Sequence, residues 1–563
     1  MSCLIRPTAL ACFGIAGVLS HRLFFIRGEH HLRGPWYLAT WIVSLILMIV
    51  MFSSSNNDAS TFESVILVHC SFFGPLFASI FVYRVFQHPL RQFDGPFLAS
   101  VSKLWHLAYM FKSPNHLFLN TLVQKYGNFV RTGPQELTIV DPGVWVALGK
   151  RDAPCKKSPF YDMLYPYVAL ISIRNKEAYR TRRKLWDDAL RLATTHLPDD
   201  DSPANELAEI LVQQVKASVG EVVNIKTLFF NYAYDVVGEI AFGQSFSLLK
   251  KSDLAIPYET RNAPTLISDG ISMLRFFTPV PWAARLSIIL APYLPEIARH
   301  WNEAQKWTSK VCDSRLEREG ELCLQKDAFS RFIRAARADD DAESLDRLAL
   351  YGDAFTFTIA GSHTIATTLT MLFFELARHP HAQRHVREEI LSASHRNETT
   401  GETRDRSIEK YCFLDACIDE TLRLYPAVPT GGIRQTTERG MHIAGKWIPP
   451  YTVIVSPRWT LGRLETAFEL PDKFIPERWT TKPYLVKDAR AFNAFGLGQH
   501  ICPGKQLGLA EVRLVATKLL TQFQFEFPSK QINTSRIVET LQDSFVLTPG
   551  DLELVFTPIT KPT

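Results

Sequence analysis

Cys502 stands in the stretch Phe495-Gly496-Leu497-Gly498-Gln499-His500-Ile501-Cys502-Pro503-Gly504, with glycines on both sides and an aromatic residue seven positions before it. Gly498 and Gly504 permit a tight backbone, because glycine tolerates positive φ and close approach. A helix-like run from Lys505 to Leu520 follows. Such a loop can present a thiolate to a metal while its backbone amides donate hydrogen bonds to the sulfur, and Phe495 could shield that sulfur from water. A free cysteine is more often a small buried hydrophobe. With nine cysteines in the chain, the loop gains meaning only from the motifs before it.

Three motifs precede it in order. Ala360-Gly361-Ser362-His363-Thr364 lies in a long apolar run with helical pattern, Leu345 to His379, stopped by Pro380. Phe357, Ala360, Gly361 and Thr364 recur at i, i+3, i+4 and i+7 and so share one stripe. The Thr364 hydroxyl can bond the carbonyl one turn back and distort the helix there. Glu420-Thr421-Leu422-Arg423 lies in the helical run Leu414–Leu424. Glu420 and Arg423 are one turn apart and can pair. Pro476-Glu477-Arg478-Trp479 stands between that run and the cysteine loop. Each motif alone is weak: the long run would pass for a core helix, and Glu-x-x-Arg for a surface ion pair of little value.

Together, in this order, they resemble the cytochrome P450 family, the haem-thiolate monooxygenases, from about Pro89 to Pro558. The resemblance implies a mainly α fold with small β-sheets, preceded here by N-terminal transmembrane helices. It implies haem b, with Cys502 as the axial iron ligand; such a thiolate pushes electron density onto iron and favours O–O cleavage. Thr364 would hold water and deliver protons. His363 stands where the family usually has an acid, and histidine can shuttle protons near neutral pH. Arg478 would close the Glu420–Arg423 pair into a buried structural triad. Arg434, Arg183 and His500 would hold the haem propionates. Two departures stand out: many relatives have histidine at Tyr179 and arginine at His500, and a neutral His500 compensates less charge than arginine. The Arg182–Lys184 run would be a solvated helix face or a dock for the acidic surface of a reductase.

The implied reaction inserts one oxygen atom of O₂ into a C–H or C=C bond and reduces the other to water. The two electrons would come through NADPH-cytochrome P450 reductase. Stretches 160–173, 265–281, 357–361, 428–432 and 543–546 would draw the substrate pocket. They are largely apolar or aromatic, so the substrate should be a hydrophobic small molecule; a terpenoid or alkaloid intermediate of fungal secondary metabolism is the expectation by analogy. The alternatives are an isomerase or dehydratase on the same fold, which loss of the threonine would favour, and a non-catalytic haem protein binding an apolar ligand.

Composition agrees with this frame. The chain has 563 residues, 46% hydrophobic, and a net charge of +5. That length can bury a large core, and no basic tract dense enough for nucleic acid is visible. The cysteines are odd in number without paired metal-ligand spacing, which suits a reducing compartment. Three apolar runs open the chain: Pro7–Leu19, Trp36–Phe52 and Ser64–Tyr83. The last two approach the length of a bilayer span. The stretch between them, Ser53–Glu63, has no Lys or Arg, whereas Arg22, Arg27 and Arg33 flank one side and Arg84 and Arg91 the other. The positive-inside rule then puts both flanks and the catalytic domain in the cytosol, on an endoplasmic reticulum membrane crossed more than once.

The expected division is a membrane-anchor region with two or three transmembrane helices at 1–86, a proline-rich hinge at 87–97 and a haem-binding catalytic domain at 98–563. Leu137–Val140 and Thr452–Ser456 read as strands. Polar breaks at Pro198–Pro203, Ala338–Glu343 and Asn397–Ser407 read as surface loops. Asn397 and Asn533 sit in glycosylation patterns but would never meet the lumen in this topology.

Overall fold

The computed structural model describes residues 7–53, 58–197, 199, 201–250, 263–278, 280–281, 297–318, 327–337, 346–400, 412–528 and 536–559. Three apolar helices come first: α1 (Pro7–Leu19), α2 (Gly34–Ser53) and α3 (Asp58–Val82). α1 and α2 fall within segments long and apolar enough to cross a membrane, Pro7–Phe25 and His31–Ser53, and α3 overlaps a third, Phe62–Gln87. The first segment is the shortest, yet it belongs with the others, since α1 packs along α3. At Gly17 a side chain would place its Cβ 2.3 Å from the Phe72 carbonyl oxygen of α3. Small residues let membrane helices approach this closely. A fourth helix, Arg347–Arg378, also has the length and hydropathy to span, but 78% of its most apolar stretch is buried in protein. It is the central core helix rather than a membrane crossing.

The chain from His88 to Phe97 is fastened to the globule. Arg131 N donates to Asp94 O (2.8 Å), and a Cβ at Gly95 would lie 2.4 Å from the Arg131 carbonyl oxygen. The join is therefore stiff.

Beyond it the fold is mainly helical. Strands β1 (Phe129–Gly133), β2 (Glu136–Ile139), β3 (Cys155–Lys157), β5 (Arg434–Thr436) and β8 (Val453–Val455) form one sheet in the order β1-β2-β8-β5-β3. The two runs expected as strands lie side by side in it, with Leu137 opposite Ile454 in a parallel pair. Strands β4 (Val222–Asn224), β9 (Phe523–Glu526) and β12 (Glu553–Pro558) form a second sheet. The hairpins β6–β7 (Met441–Ile443, Lys446–Ile448) and β10–β11 (Gln542–Ser544, Val546–Thr548) complete the β structure. One hydrophobic core lies among the helices and another lies under the first sheet.

The central helix begins where the Asp346 carboxylate accepts from Ala349 N (3.1 Å), filling an N-terminal donor. It ends just before Pro380, as the proline predicts. The next helix runs from Pro380 to Thr400, so the first four residues of the loop expected at Asn397–Ser407 are helical. Residues 401–411, the break at 338–343 and Asn533 lie outside the described residues. At the 198–203 break, Ser202 caps the helix Pro203–Ala217 by accepting from Asn205 N (3.2 Å).

Candidate active site

A cavity of about 330 Å³ opens between the central helix, the helix Lys505–Gln522 and the cysteine loop. Among the described residues, Cys502 is the one cysteine in its wall. The Cys502 side chain is exposed, and it lines this cavity. Its amide donates to Phe495 O (2.9 Å), which closes the loop, and Phe495 also lines the cavity. Gly498 takes φ +69°, and a Cβ there would fall 1.9 Å from Gly149 O; only glycine allows this contact. Burial pushes the Cys502 thiol up, opposed by the Gly504 amide and by Arg183, Arg458 and Lys505. A thiolate at this point needs a cation to hold it, which a metal supplies.

Phe357, Ala360, Gly361 and Thr364 all face the cavity, as their stripe requires. Thr364 Oγ1 donates to Ala360 O (2.7 Å). His363 does not face it. One residue along a helix is a rotation of about 100°, and that turns the ring into the neighbouring helix Ile225–Phe242. There Nε2 lies 2.8 Å from Tyr234 Oη, and the ring meets Phe230 edge-on at 5.2 Å. Burial, then Lys226, lowers its pKa to about 3, so it stays neutral. The structure thus places His363 between two helices, away from the cavity where the sequence expectation of proton delivery would need it.

A residue the sequence reading missed shares the wall. Glu511 is 2% exposed, lines the cavity, and its Oε2 has no partner. Burial raises its pKa to about 8, so it carries a proton at pH 7. The clue was an acid on the apolar stripe Leu507, Glu511, Leu514.

At the other end of the cavity, positive charges gather without anions. Lys157, Arg434 and Arg458 line it and are at most 9% exposed. Among the described residues, no carboxylate lies within ion-pair distance of any of them. Lys157 Nζ donates to Leu170 O and Ile171 O (both 2.8 Å) and sits 4.4 Å over the Tyr179 ring. Burial, then Arg434 and Arg183, pushes its pKa well below the usual lysine value. His500 meets the Tyr179 ring edge-on at 4.4 Å; burial, then Arg434 and Lys157, lowers its pKa to about 2. His500 Nδ1 and Trp145 Nε1 are buried donors or acceptors with no partner.

Arg183 is placed differently from the expectation. It is absent from the cavity wall; Nη1 donates to Ile501 O (2.6 Å) and Tyr179 Oη (3.2 Å), and Nε to Asp187 (2.7 Å). It braces the cysteine loop from outside, and Lys157 takes the inner position. Arg182 is no solvated face either, because it donates to the fully buried Asp353 of the central helix (2.6 Å). Of the stretch 265–281, no described residue lines the cavity; Arg275 borders a separate cavity of about 140 Å³ beside Asp543.

Behind the loop, Glu420 gathers four donors. Arg423 reaches both of its oxygens (2.8 and 2.9 Å), Arg478 Nε (2.8 Å) and Ile475 N (2.9 Å) share Oε1, and Trp479 Nε1 (3.0 Å) takes Oε2. The spare guanidinium hydrogens go to backbone carbonyls, Pro471 and Lys473 for Arg423 and Glu469, Leu470 and Leu485 for Arg478.

A family model for cytochrome P450 matches residues 96–556. The chain is a cytochrome P450. The chain is 34% identical to "Cytochrome P450 monooxygenase FCK2" of Fusarium pseudograminearum, over 98% of both proteins. It is 30% identical to tryprostatin B 6-hydroxylase of Aspergillus fumigatus, again over 98% of each. The fold matches that of the cytochrome P450DA haem domain with a TM-score of 0.62 at 18% identity, covering 81% of this chain and 95% of that one. It is thus an oxidoreductase of the monooxygenase type, with haem as its cofactor and apolar helices that suit membrane anchoring.

The residues of this P450 fit the group. Buried cations without anions are costly, and buried polar atoms without partners are rare. The two propionates of haem would supply the missing acceptors to Lys157, Arg434, Arg458, His500 and Trp145, while Cys502 would meet the iron from the loop. Lys157→Met is expected to speed haem loss about tenfold or more, the loss of one charge-assisted hydrogen bond. Transfer of haem to apomyoglobin measures it; an unchanged rate would remove Lys157 from the propionate set.

Proposed function

We propose that this P450 inserts one oxygen atom from O₂ into a hydrophobic small molecule, by hydroxylation or epoxidation, in secondary-metabolite biosynthesis. The observation that carries it is the convergence of Cys502, Thr364 and an apolar wall on one cavity. The relative that is a hydroxylase by name supports oxygen insertion. In this reading the chain works on the cytosolic face of the endoplasmic reticulum membrane through several spans, with NADPH-cytochrome P450 reductase as electron donor.

Each residue then has a task. Cys502 supplies the thiolate. Haem, when bound there, supplies O₂ activation, which a thiolate ligand biases toward O–O cleavage. The Thr364 hydroxyl is tied to Ala360 O, which leaves its oxygen lone pairs to hold a water at the cavity face. Phe357, Leu190, Val237 and Phe545 exclude bulk water and seat apolar substrate. Arg183, through Ile501 O, keeps the loop in register.

Thr364→Ala is expected to cut product per NADPH roughly tenfold or more, the scale of a lost proton-transfer group, with peroxide taking the difference. His363→Phe, which keeps the packing against Phe230, should leave that ratio unchanged. Equal uncoupling in the two variants would restore His363 to proton delivery. The reaction class is tested by deleting the gene in its host and isolating the intermediate that accumulates. That compound is then given to membranes with reductase, NADPH and ¹⁸O₂. One labelled oxygen atom in the product is expected; a product formed without label would favour isomerisation or dehydration.

A further inference from the structure

The turn between α1 and α2 does not float free of the globule. Glu29 accepts from Arg174 Nη1 (2.6 Å) and Nη2 (2.7 Å) and from Lys156 Nζ (3.0 Å). Arg174 Nη1 also lies 2.5 Å from Asp162 Oδ2, and Arg174 Nε donates to Lys157 O (3.0 Å). His31 Nε2 lies 2.8 Å from the same Asp162 oxygen. Two side chains of the anchor region and three of the globule thus form one network. It is partly shielded: the Arg174 and His31 side chains are 14% and 13% exposed, Glu29 29% and Lys156 42%. Burial alone would raise the Glu29 carboxyl, but bonds from Arg174 and then Lys156 outweigh it and hold the pKa at about 2.

The globular half of this network is the wall of the active site. Between Lys157 and Arg174 lie Tyr161, Leu170 and Ile171, all of which line the cavity, as does Lys157 itself. Arg174 ties the two ends of that segment together through the Lys157 carbonyl and pins its middle through Asp162. Glu29 is what anchors Arg174 from outside. Glu29, His31 and Asp162 also bring ligand atoms within 4.8 Å of one another, but the Arg174 guanidinium touches both carboxylates and already supplies the positive charge.

We propose that Glu29 is a positioning residue for the substrate cavity: the turn of the membrane anchor clamps the 157–174 wall, so the anchor belongs to the substrate-binding apparatus of this P450. The inference rests on the reading of the cavity as the haem and substrate site. It also requires residues 26–33 to lie on the catalytic side of the membrane, as Arg22, Arg27 and Arg33 indicate.

The test uses the full-length, haem-loaded chain in phospholipid nanodiscs, as wild type, Glu29→Gln, Arg174→Gln, the double variant and Arg33→Gln. Two quantities are read: amide hydrogen exchange over residues 159–173, and the spectral dissociation constant for 4-phenylimidazole. Glu29→Gln should raise exchange there about tenfold, the signature of a loosened local unit, and shift the 4-phenylimidazole constant severalfold. Arg174→Gln should do at least as much, and adding Glu29→Gln to it should change nothing further. Arg33→Gln should match wild type. Unchanged exchange in Glu29→Gln overturns the clamp, and raised exchange with unchanged 4-phenylimidazole affinity overturns its role in positioning. If the wild type itself lacks a thiolate-type carbon monoxide spectrum, the proposed function fails, while the exchange data still decide whether the clamp exists.

Discussion

Cys502→Ala is expected to abolish product formation and the red-shifted carbon monoxide band of thiolate-ligated haem, while leaving folded, membrane-bound protein. Both halves follow from the geometry. The side chain is exposed and lines the cavity, so losing its sulfur removes little packing. The loop is closed by backbone, Cys502 N to Phe495 O and Arg183 to Ile501 O, and alanine keeps both bonds. Yet no other cysteine among the described residues lines the cavity, so nothing else can push electron density onto iron in the same way. Lys157, Arg434 and Arg458 remain, so the variant should still take up haem. The measurement is the carbon monoxide difference spectrum of reduced membranes beside wild type. A wild-type band in Cys502→Ala would place the ligand elsewhere and sink the assignment.

Glu420→Gln should be the most destabilising single change in the catalytic half. Arg423 and Arg478 have no exposed side-chain surface in this pairing, and Glu420 is their shared counter-charge. Glutamine keeps the shape but leaves two buried guanidinium cations uncompensated. Breaking a buried pair in this way costs about 3–5 kcal/mol, a large share of the roughly 5–15 kcal/mol that holds a domain. Little folded protein should accumulate, with a clearly lower thermal midpoint for loss of the carbon monoxide band. Glu477→Gln is the comparison. Glu477 stands beside Arg478 in sequence, makes no side-chain ion pair among the described residues, and should change stability by no more than about 0.5 kcal/mol. Equal effects in the two would mean that the triad is not what holds this region.

Motifs that act through local geometry are legible in the amino-acid sequence. Phe357, Ala360, Gly361 and Thr364 recur at helical spacing, so they have to share a face. The hydroxyl at Thr364 has one obvious carbonyl, four residues back. Glu420 and Arg423 sit one turn apart, and the glycines around Cys502 mark a tight loop. The apolar runs at the start of the chain carry their own length and charge flanks. Two strands, Leu137–Val140 and Thr452–Ser456, can be named from their residue types, but not that they pair with each other.

Side-chain direction is harder. His363 and Thr364 are neighbours in sequence and point to different partners, and only the packing of Ile225–Phe242 against the central helix decides which one meets the cavity. Lys157 takes the cavity-facing place expected of Arg183 for a similar reason. Lys156 and Lys157 belong to none of the sequence motifs; β3 sits at the sheet edge with Lys157 opposite Arg434, which turns one lysine inward and leaves the other to meet Glu29.

By itself, then, the sequence determined the family, the tight cysteine loop, the helix that carries Thr364, the Glu420–Arg423–Arg478 triad and the apolar N-terminal helices. All of these depend on residues close in the chain or on motifs in a fixed order. Tertiary structure alone decided which charges are buried without partners, that Glu511 is a neutral acid in the cavity wall, and that Glu29 reaches Arg174. Those depend on distances between segments that are 100 residues or more apart in sequence, and on the loss of water around them, which no local pattern of residue types encodes.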